Sequence, residues 1–581
     1  MVAAVTAGEG GVDHWGDWFK KEYRRPILFC ALIAIAPVAY GYDGTYFTSL
    51  LETPVFVRQF GDPTGDGEYA ISSSDQSLWV SIIQVGEVVG SLAAGPIGDF
   101  SGRKGGIFSA ITLLAIGVVL QMIVIGSSAL LTVGRLIAGA GIGIISNAAP
   151  LYLSEIPPVE IRGACVSSWQ LMLAIGQVIG ACVGLGSHNL SSTASWRIPV
   201  GINLVWVVLL FGVLFIVPES PRWLLYRGKE AKAERALAKI HGGSEYKDSL
   251  VQEQLAILNK AREEEAEASS SVSRWSDLWR NPVERRKFFA TVGILVSQQI
   301  SGVQFIFSYT TTFFALVGLK DTFIITIVVD VIEVVGVLAS FFVVNRFGRR
   351  PLLIYTGIFM FITLVVVGCL GAVAGQGDFE PYLADHPSLG KAVAAMICLY
   401  VFAFNVAWGP LAWVVAAEMS TGRNRQKHLS IGTALFWVSA WAVTFTLPYL
   451  FQPADAGLGP MIGFIYAVGG FLSVAFVYFF IPETIGRTLE EINFMMEARI
   501  PTRQWKDFDL ATVVARDEKK TARGTTEHVE MTHDGTAAVP KPRAKRFGSS
   551  LWTNNNNKEV IDGHGGITPT PASKEQPELN A

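Results

Sequence analysis

Charge is what this chain of 581 residues is short of: Asp, Glu, Lys and Arg make up 16% of it, against 50% hydrophobic residues. Soluble domains carry about 25% charged residues, so an ordinary water-facing globule is excluded. A net charge of −3 leaves no electrostatic footprint for nucleic acid. Cysteine is scarce as well. Cys30, Cys165, Cys182, Cys369 and Cys398 sit in or beside apolar segments without metal-ligand spacing, and read as small packing residues rather than a disulfide or zinc framework. No P-loop is present to power an ATP-driven pump, and Gly139-Ala140-Gly141-Ile142-Gly143 lies inside an apolar span, where glycines serve close helix packing. No nucleophile–base or metal constellation supports an enzyme, and no cofactor is implied. Residues 1–25 are polar and the first apolar run already has spanning length, so no cleavable signal is evident.

What is present is a series of long apolar runs, at about 27–50, 78–98, 106–126, 129–151, 163–186, 199–217, 288–316, 322–344, 351–374, 391–416, 429–451 and 461–481. Each is long enough to cross a hydrocarbon layer about 30 Å thick. The expected fold is an all-α integral membrane protein of twelve transmembrane helices in two six-helix halves. Its parts are an amino-terminal segment (1–26), a first half (27–217), a helical insert (218–287), a second half (288–481) and a tail (482–581) to which no fold is assigned beyond about residue 500. Two patterns rich in Glu, Lys, Arg and Ala, Lys229–Ile240 and Asp248–Ala268, predict solvated helices in the insert.

Lys20, Lys21, Arg24, Arg25, Arg103, Lys104, Arg162, Arg346, Arg349, Arg350, Arg423, Arg425 and Lys427 fall on one side of this topology, and only Arg58, Arg197, Lys320 and Lys391 on the other. The excess places the termini and the insert in the cytoplasm. Asn189-Leu190-Ser191 is then an outward sequon close to the membrane.

The seventh run holds an uncharged polar stretch, Ser297-Gln298-Gln299-Ile300-Ser301-Gly302-Val303-Gln304. Amides there need partners, because hydrocarbon offers none. A Gln cluster suits a neutral ligand rich in hydroxyls; the plainer reading is polar glue between helices. On an unbroken helix Gln304 would lie roughly 140° from Gln299 and 240° from Gln298. Either the helix breaks near Gly302 or the amides face different neighbours.

The two halves repeat each other. Gly98-Asp99-Phe100-Ser101-Gly102-Arg103-Lys104 returns as Asn345-Arg346-Phe347-Gly348-Arg349-Arg350, Glu155 with Arg162 returns as Glu418 with Arg425, and Pro218-Glu219-Ser220-Pro221-Arg222 returns as Pro482-Glu483-Thr484-Ile485-Gly486-Arg487. Parallel repeats imply a binding site between the halves near the midplane, with alternating access.

With Gly134-Arg135-Leu136 and Gln298-Gln299-Ile300-Ser301-Gly302, these landmarks resemble the sugar porter family of the major facilitator superfamily over about residues 27–495, and the tail and acidic outer loop look like those of fungal members. The resemblance implies a sugar site formed by Gln170, Gln298, Gln299, Gln304, Trp408, Trp413 and Trp437, in which amides bond hydroxyls and indoles cover a ring face and donate N–H. Gln304, Ser308 and Phe436 stand where many members have Asn, Tyr and Asn, and Phe100 stands where the loop motif usually has a basic residue. Gly409-Pro410 is expected to break span ten.

Charges inside the spans carry the remaining expectations. Asp43 and Arg135 are expected to pair and, as in proton-coupled relatives, to serve proton coupling. Glu333 falls, by resemblance, at a sugar-contacting position, with Asp330 one turn away. Glu87 has no assigned role. Arg103, Glu155, Arg162, Glu219, Arg349, Glu418, Arg425 and Glu483 are expected to form a cytoplasmic gate network. The sequence thus points to plasma-membrane import of a neutral monosaccharide or polyol with a proton, with no nucleic-acid partner. Passive uniport and nutrient sensing through the tail are the alternatives.

Overall fold

The computed structural model of the chain describes residues 21–63, 68–124, 128–242, 247–268, 276–316, 321–374, 382, 386–421, 424–452, 455–487 and 489–505. Most of the tail and the first 20 residues lie outside this set. Among the described residues, eleven helices are long and apolar enough to cross a bilayer. They supply twelve spans because one of them, with 50 residues, contains two.

Span one is α1 (Lys21–Ile33) followed by α2 (Ile35–Leu50). Pro37 has no N–H for the carbonyl four residues earlier, that of Ile33, which is where α1 stops. A short α3 (Pro54–Phe60) and a two-stranded pairing, β1 (Asp62–Pro63) with β2 (Tyr69–Ala70), lie between spans one and two. The first half continues through α4 (Ser73–Met122), α5 (Ser128–Glu155), α6 (Val159–Ser187) and α7 (Ala194–Ile216). The insert forms α8 (Pro221–Tyr226), α9 (Glu230–Ile240) and α10 (Lys247–Ala268), with α8 capped by Ser220 and started by Pro221. After α11 (Asp277–Arg280), the second half comprises α12 (Pro282–Ile300), α13 (Val303–Leu316), α14 (Thr322–Phe347), α15 (Arg349–Ala374), α16 (Pro387–Ala403), α17 (Gly409–Met419), α18 (Arg425–Phe451) and α19 (Ile462–Phe480). A last helix, α20 (Leu489–Glu497), buries Ile492, Met495 and Met496. The halves meet where α4 packs on α18, α6 on α14 and α2 on α13. All five cysteines are free.

The repeat seen in the sequence is a repeated device in space. Gly102 breaks α4 at φ +84° and Gly348 separates α14 from α15 at φ +87°. A Cβ at Gly102 would sit 2.5 Å from Glu219 Oε2, and one at Gly348 would sit 2.7 Å from Glu483 Oε2. Each carboxylate instead accepts backbone N–H groups: Glu219 from Arg103 (2.9 Å) and Lys104 (3.2 Å), Glu483 from Arg349 and Arg350 (both 3.0 Å). Burial pushes the Glu219 carboxyl above the usual carboxylate range, against the pull of those donors and of the Arg103 charge. Arg103 bonds Glu155 through Nε (2.9 Å) and Nη2 (2.7 Å), and Arg349 reaches Glu418 at 3.2 Å. Ser220 and Thr484 each donate to the matching Glu155 and Glu418 at 2.5 Å. Arg425 opens α18 and is exposed, and the side chain of Arg162 lies outside the described residues. Phe100 is exposed, and Arg227 donates to its carbonyl at 3.1 Å.

On the opposite side the halves are joined by uncharged donors. Ser73 donates to Gln452 Oε1 (2.5 Å) and to Asp455, Gln452 donates to Gln76, and Ser77 donates to the Phe445 carbonyl. Tyr309 of α13 reaches the carbonyls of Thr444 (3.3 Å) and Gln76 (3.5 Å), and His188 stacks on Phe323 at 4.3 Å. These contacts join the halves on this side of the midplane.

Two outcomes follow. Gly348→Ala imposes a backbone region nearly reserved for glycine and crowds Glu483, at a cost of about 1–3 kcal/mol; thermal unfolding in detergent should show a lowered midpoint, and an unchanged one would refute the strain argument. Gln452→Leu removes bonds worth about 1 kcal/mol each. Hydrogen exchange over residues 303–316 should rise in this variant, and unchanged protection would mean these bonds carry no closing energy.

Candidate functional site

Span seven breaks where the sequence allowed it to. α12 ends at Ile300, Gly302 takes φ +99°, and α13 begins at Val303. Side chains bond the carbonyls around the break: Ser301 Oγ donates to the Gln298 carbonyl (2.7 Å), Tyr400 to the Ser301 carbonyl (3.0 Å) and Ser473 to the Ser297 carbonyl (2.9 Å). Gln304, past the break, accepts from Ser308 at 3.0 Å.

Span ten differs from expectation. It widens without breaking: Phe404–Trp408 form one π-helical turn that runs directly into α17, with Pro410 in its first turn. The Gly409 N–H bonds back to the Phe404 carbonyl, the five-residue step that accommodates Pro410 without interrupting the helix. Gln298 Nε2 donates to the carbonyls of Trp408 (2.9 Å) and Gly409 (3.2 Å), so the amide locks α12 against this turn. Its Oε1 is buried with no protein partner, as are Gln299 Oε1 and Asn405 Oδ1. A Cβ at Gly409 would lie 3.1 Å from Asn405 Oδ1 and 3.7 Å from Gln170 Nε2, so Gln170, Gln298, Asn405 and Gly409 converge.

The tryptophans divide by role. The Trp408 N–H, expected to donate to a ligand, is bonded to the Leu353 carbonyl at 3.0 Å, and Trp408 is fully buried. The Trp437 N–H is buried and has no protein partner. Trp413 packs on Phe436 (5.0 Å between centroids), Phe436 on Trp437 (4.8 Å), Trp437 on Tyr40 (5.9 Å) and Tyr40 on Trp169 (6.4 Å). This aromatic arc crosses from the second half to the first.

Glu333 is 1% exposed and sits between the halves. It accepts from Gln170 Nε2 at 3.4 Å and, with the Gln177 amide nitrogen turned toward it, from Gln177 at 2.6 and 3.1 Å. Asp330 Oδ2 has no protein partner. The sequence reading missed Gln177, Asn405, Tyr40 and Trp169. Gln177 was legible in principle, seven residues from Gln170 and so on the same helix face. Tyr40 is one turn before Asp43. Asn405 and Trp169 carried no signal.

The expected ion pair between Asp43 and Arg135 is absent: no ion pair within 4.0 Å joins them among the described residues. Arg135 Nε instead donates to the Trp79 carbonyl at 2.6 Å, and its guanidinium lies 3.6 Å above the centre of the Phe47 ring. Asp43 Oδ1 accepts from Asn203 at 3.4 Å, while Oδ2 has no protein partner. The aromatic face and backbone carbonyl hold the guanidinium where a lone carboxylate was expected to.

Residues 29–496 match the family model for sugar (and other) transporters. The chain is 32% identical over 533 residues to the major facilitator-type transporter ecdD of Aspergillus rugulosus, covering 87% of this chain and 96% of that one. It is 31% identical to the low-affinity glucose transporter HXT3 of Saccharomyces cerevisiae, over 82% of this chain and 83% of that one. Among solved structures, the xylose transporter XylE of E. coli in a partially occluded inward-open conformation superposes with a TM-score of 0.65 at 24% identity, over 80% of this chain and 99% of XylE. Twelve spans in two halves, the duplicated glycine–carboxylate loops and the match over residues 29–496 lead to one assignment: the chain belongs to the sugar transporter family of the major facilitator superfamily.

Proposed function

We propose that this protein imports a neutral monosaccharide or polyol across the plasma membrane together with a proton, by alternating access of a site between its halves. The observation that carries the reading is the set of buried polar atoms without protein partners: three amide oxygens, of Gln298, Gln299 and Asn405, and the N–H of Trp437. Each such atom costs about 1–3 kcal/mol if nothing bonds it. A polyhydroxy guest supplies donors to the amides and an acceptor to the indole, and the aromatic arc offers a face for its C–H surface. The Glu333 carboxylate, flanked by two glutamines, disfavours an anionic substrate. Relatives named as glucose and hexose transporters, and a structural neighbour titled a proton:xylose symporter, agree with this class.

Proton coupling rests on Asp43. It is fully buried, its Oδ2 has no protein partner, and Arg135 is engaged elsewhere. A carboxylate whose counter-ion is withdrawn in one conformation and returned in another is what coupling to a proton gradient requires. The Arg103–Glu155 and Arg349–Glu418 networks would lie on the cytoplasmic side with the termini, in keeping with the basic residues there.

Uptake of radiolabelled hexoses, pentoses, disaccharides and polyols by a carrier-null yeast, at two external pH values, tests the reading. Uptake of a neutral sugar that rises at acidic pH is expected, and Asp43→Asn should abolish accumulation. Uptake indifferent to pH and uncouplers would reduce the protein to a uniporter, and no carbohydrate uptake at all would sink the proposal. Trp437→Phe keeps the ring but removes the free N–H. It should raise KM for the transported sugar by about tenfold, the equivalent of one ligand hydrogen bond, and an unchanged KM would take Trp437 out of the site.

A further inference from the structure

Two arginines from distant parts of the chain are gathered on one tyrosine at the end of span twelve. α19 runs over Ile462–Phe480, 19 residues. At 1.5 Å per residue this is about 28 Å, so its last turn reaches the edge of a hydrocarbon layer about 30 Å thick. Phe464, Phe471 and Tyr478 recur every seventh residue, a step that returns to within about 20° on a helix, and all three are exposed. Tyr478 therefore carries the lipid-facing stripe of the span to the interface. Phe479 and Phe480 beside it are also exposed, and an aromatic collar of this kind marks headgroup level.

The Arg350 guanidinium lies 5.4 Å from the centre of the Tyr478 ring, and that of Arg503 lies 4.8 Å from it. Arg350 stands in the first turn of α15, which packs on α19, and its Nη2 donates to the Tyr478 carbonyl at 2.7 Å. Arg503 stands on a single 3₁₀ turn, Thr502–Gln504, beyond α20. That turn is anchored on both flanks. Trp505 is fully buried and donates to the Ile500 carbonyl (3.1 Å), while Arg286 donates to the same carbonyl (3.0 Å) and to Thr502 Oγ1 (3.2 Å). The fold thus holds two like charges on one ring against their repulsion.

The protein does not neutralise them. Among the described residues no carboxylate lies within 4.0 Å of either guanidinium. Glu483 is engaged by the backbone N–H groups of Arg349 and Arg350, and Glu418 by Arg349 and Thr484. Arg350 Nε is buried without a protein partner, and Arg503 is exposed. The ring face attracts each cation but brings no net charge. The plain reading of such cations is that they cap the carbonyl end of a helix. It fits the matching corner of the first half, where Lys104 bonds the Val217 carbonyl (3.0 Å) and Lys239 the Ile216 carbonyl (2.6 Å) at the end of α7. It covers one N–H of Arg350 and leaves Arg503 without a task.

We propose that Arg350 and Arg503, gathered by Tyr478, bind the phosphate of an anionic phospholipid in the leaflet on the side of the Gly102 and Gly348 turns. A phosphate accepts from two guanidinium forks at once, and its charge offsets theirs. The source is a lipid because the ring that gathers the arginines is the one facing lipid, and acyl chains can lie along the stripe of Phe471 and Phe464. The site is independent of which substrate is carried and of proton coupling.

The test titrates the purified full-length protein, in a nonionic detergent, with dioctanoyl phosphatidylserine, dioctanoyl phosphatidylcholine and inorganic phosphate, reading each Kd by calorimetry. Phosphatidylserine should bind about tenfold or more tightly than phosphatidylcholine. Arg503→Gln and Arg350→Gln should each weaken it about fivefold, the share of one basic residue at an anionic surface, and Arg503→Lys should restore part of the loss. Lys239→Gln, which removes a charge from the matching corner of the first half, should leave the Kd unchanged. Arg503 is exposed, so its variant keeps the test open if Arg350→Gln does not fold. An Arg503→Gln protein with the wild-type Kd overturns the proposal. An equal loss in Lys239→Gln would mean diffuse charge attraction and also overturns it. Inorganic phosphate binding as tightly as phosphatidylserine would assign the arginines to a soluble anion, and the lipid site would fall.

Discussion

Inside a bilayer a polar group released from the backbone finds no water, so another part of the chain must bond it or a ligand must. Around the break at Gly302, Ser301, Tyr400 and Ser473 bond carbonyls, and Gln298 bonds those of Trp408 and Gly409 beside the π-turn. The oxygens of Gln298, Gln299 and Asn405 and the N–H of Trp437 stay open. The three amide oxygens lie on the two irregular spans.

The two ends of the halves are held by different chemistry. On one side, each half carries a glycine turn seated on a carboxylate and an Arg–Glu pair. These bonds lie within a half, so they keep each six-helix body rigid. On the opposite side, the bonds among Ser73, Gln76, Ser77, Gln452 and Tyr309 join the halves and are almost all between neutral groups. Each is worth about 1 kcal/mol net, so a handful can be exchanged for water without a large barrier. Rigid bodies joined by a weak seam are a physical basis for rocking motion.

Individual residues show how far pattern alone reaches. Gly102, Gly348, Glu219 and Glu483 were legible because a repeat fixes their relation twice over. The break near Gly302 was one of two readings open for amides that could not share one helix face, the other being different neighbours for each. Gly409-Pro410 was read as a break because proline removes one donor; that a π-turn could absorb the loss depended on the carbonyl of Phe404 lying within reach. Asp43 and Arg135 were read as partners because opposite charges at depth attract. The Phe47 ring and the Trp79 carbonyl, unmarked in the sequence, won that competition for the guanidinium.

The sequence by itself determined twelve spans, their division into halves, the side on which basic loops gather, and the residue types available at mid-depth. These follow from periodicity, length and hydrophobicity, which are local along the chain. The tertiary structure alone decided which N–H of which tryptophan stays open, that Gln177 joins Gln170 on Glu333, and that Asp43 stands apart from Arg135. A hydrogen bond closes or fails over a few tenths of an ångström, between residues from 55 to 163 positions apart, and no linear pattern carries that distance.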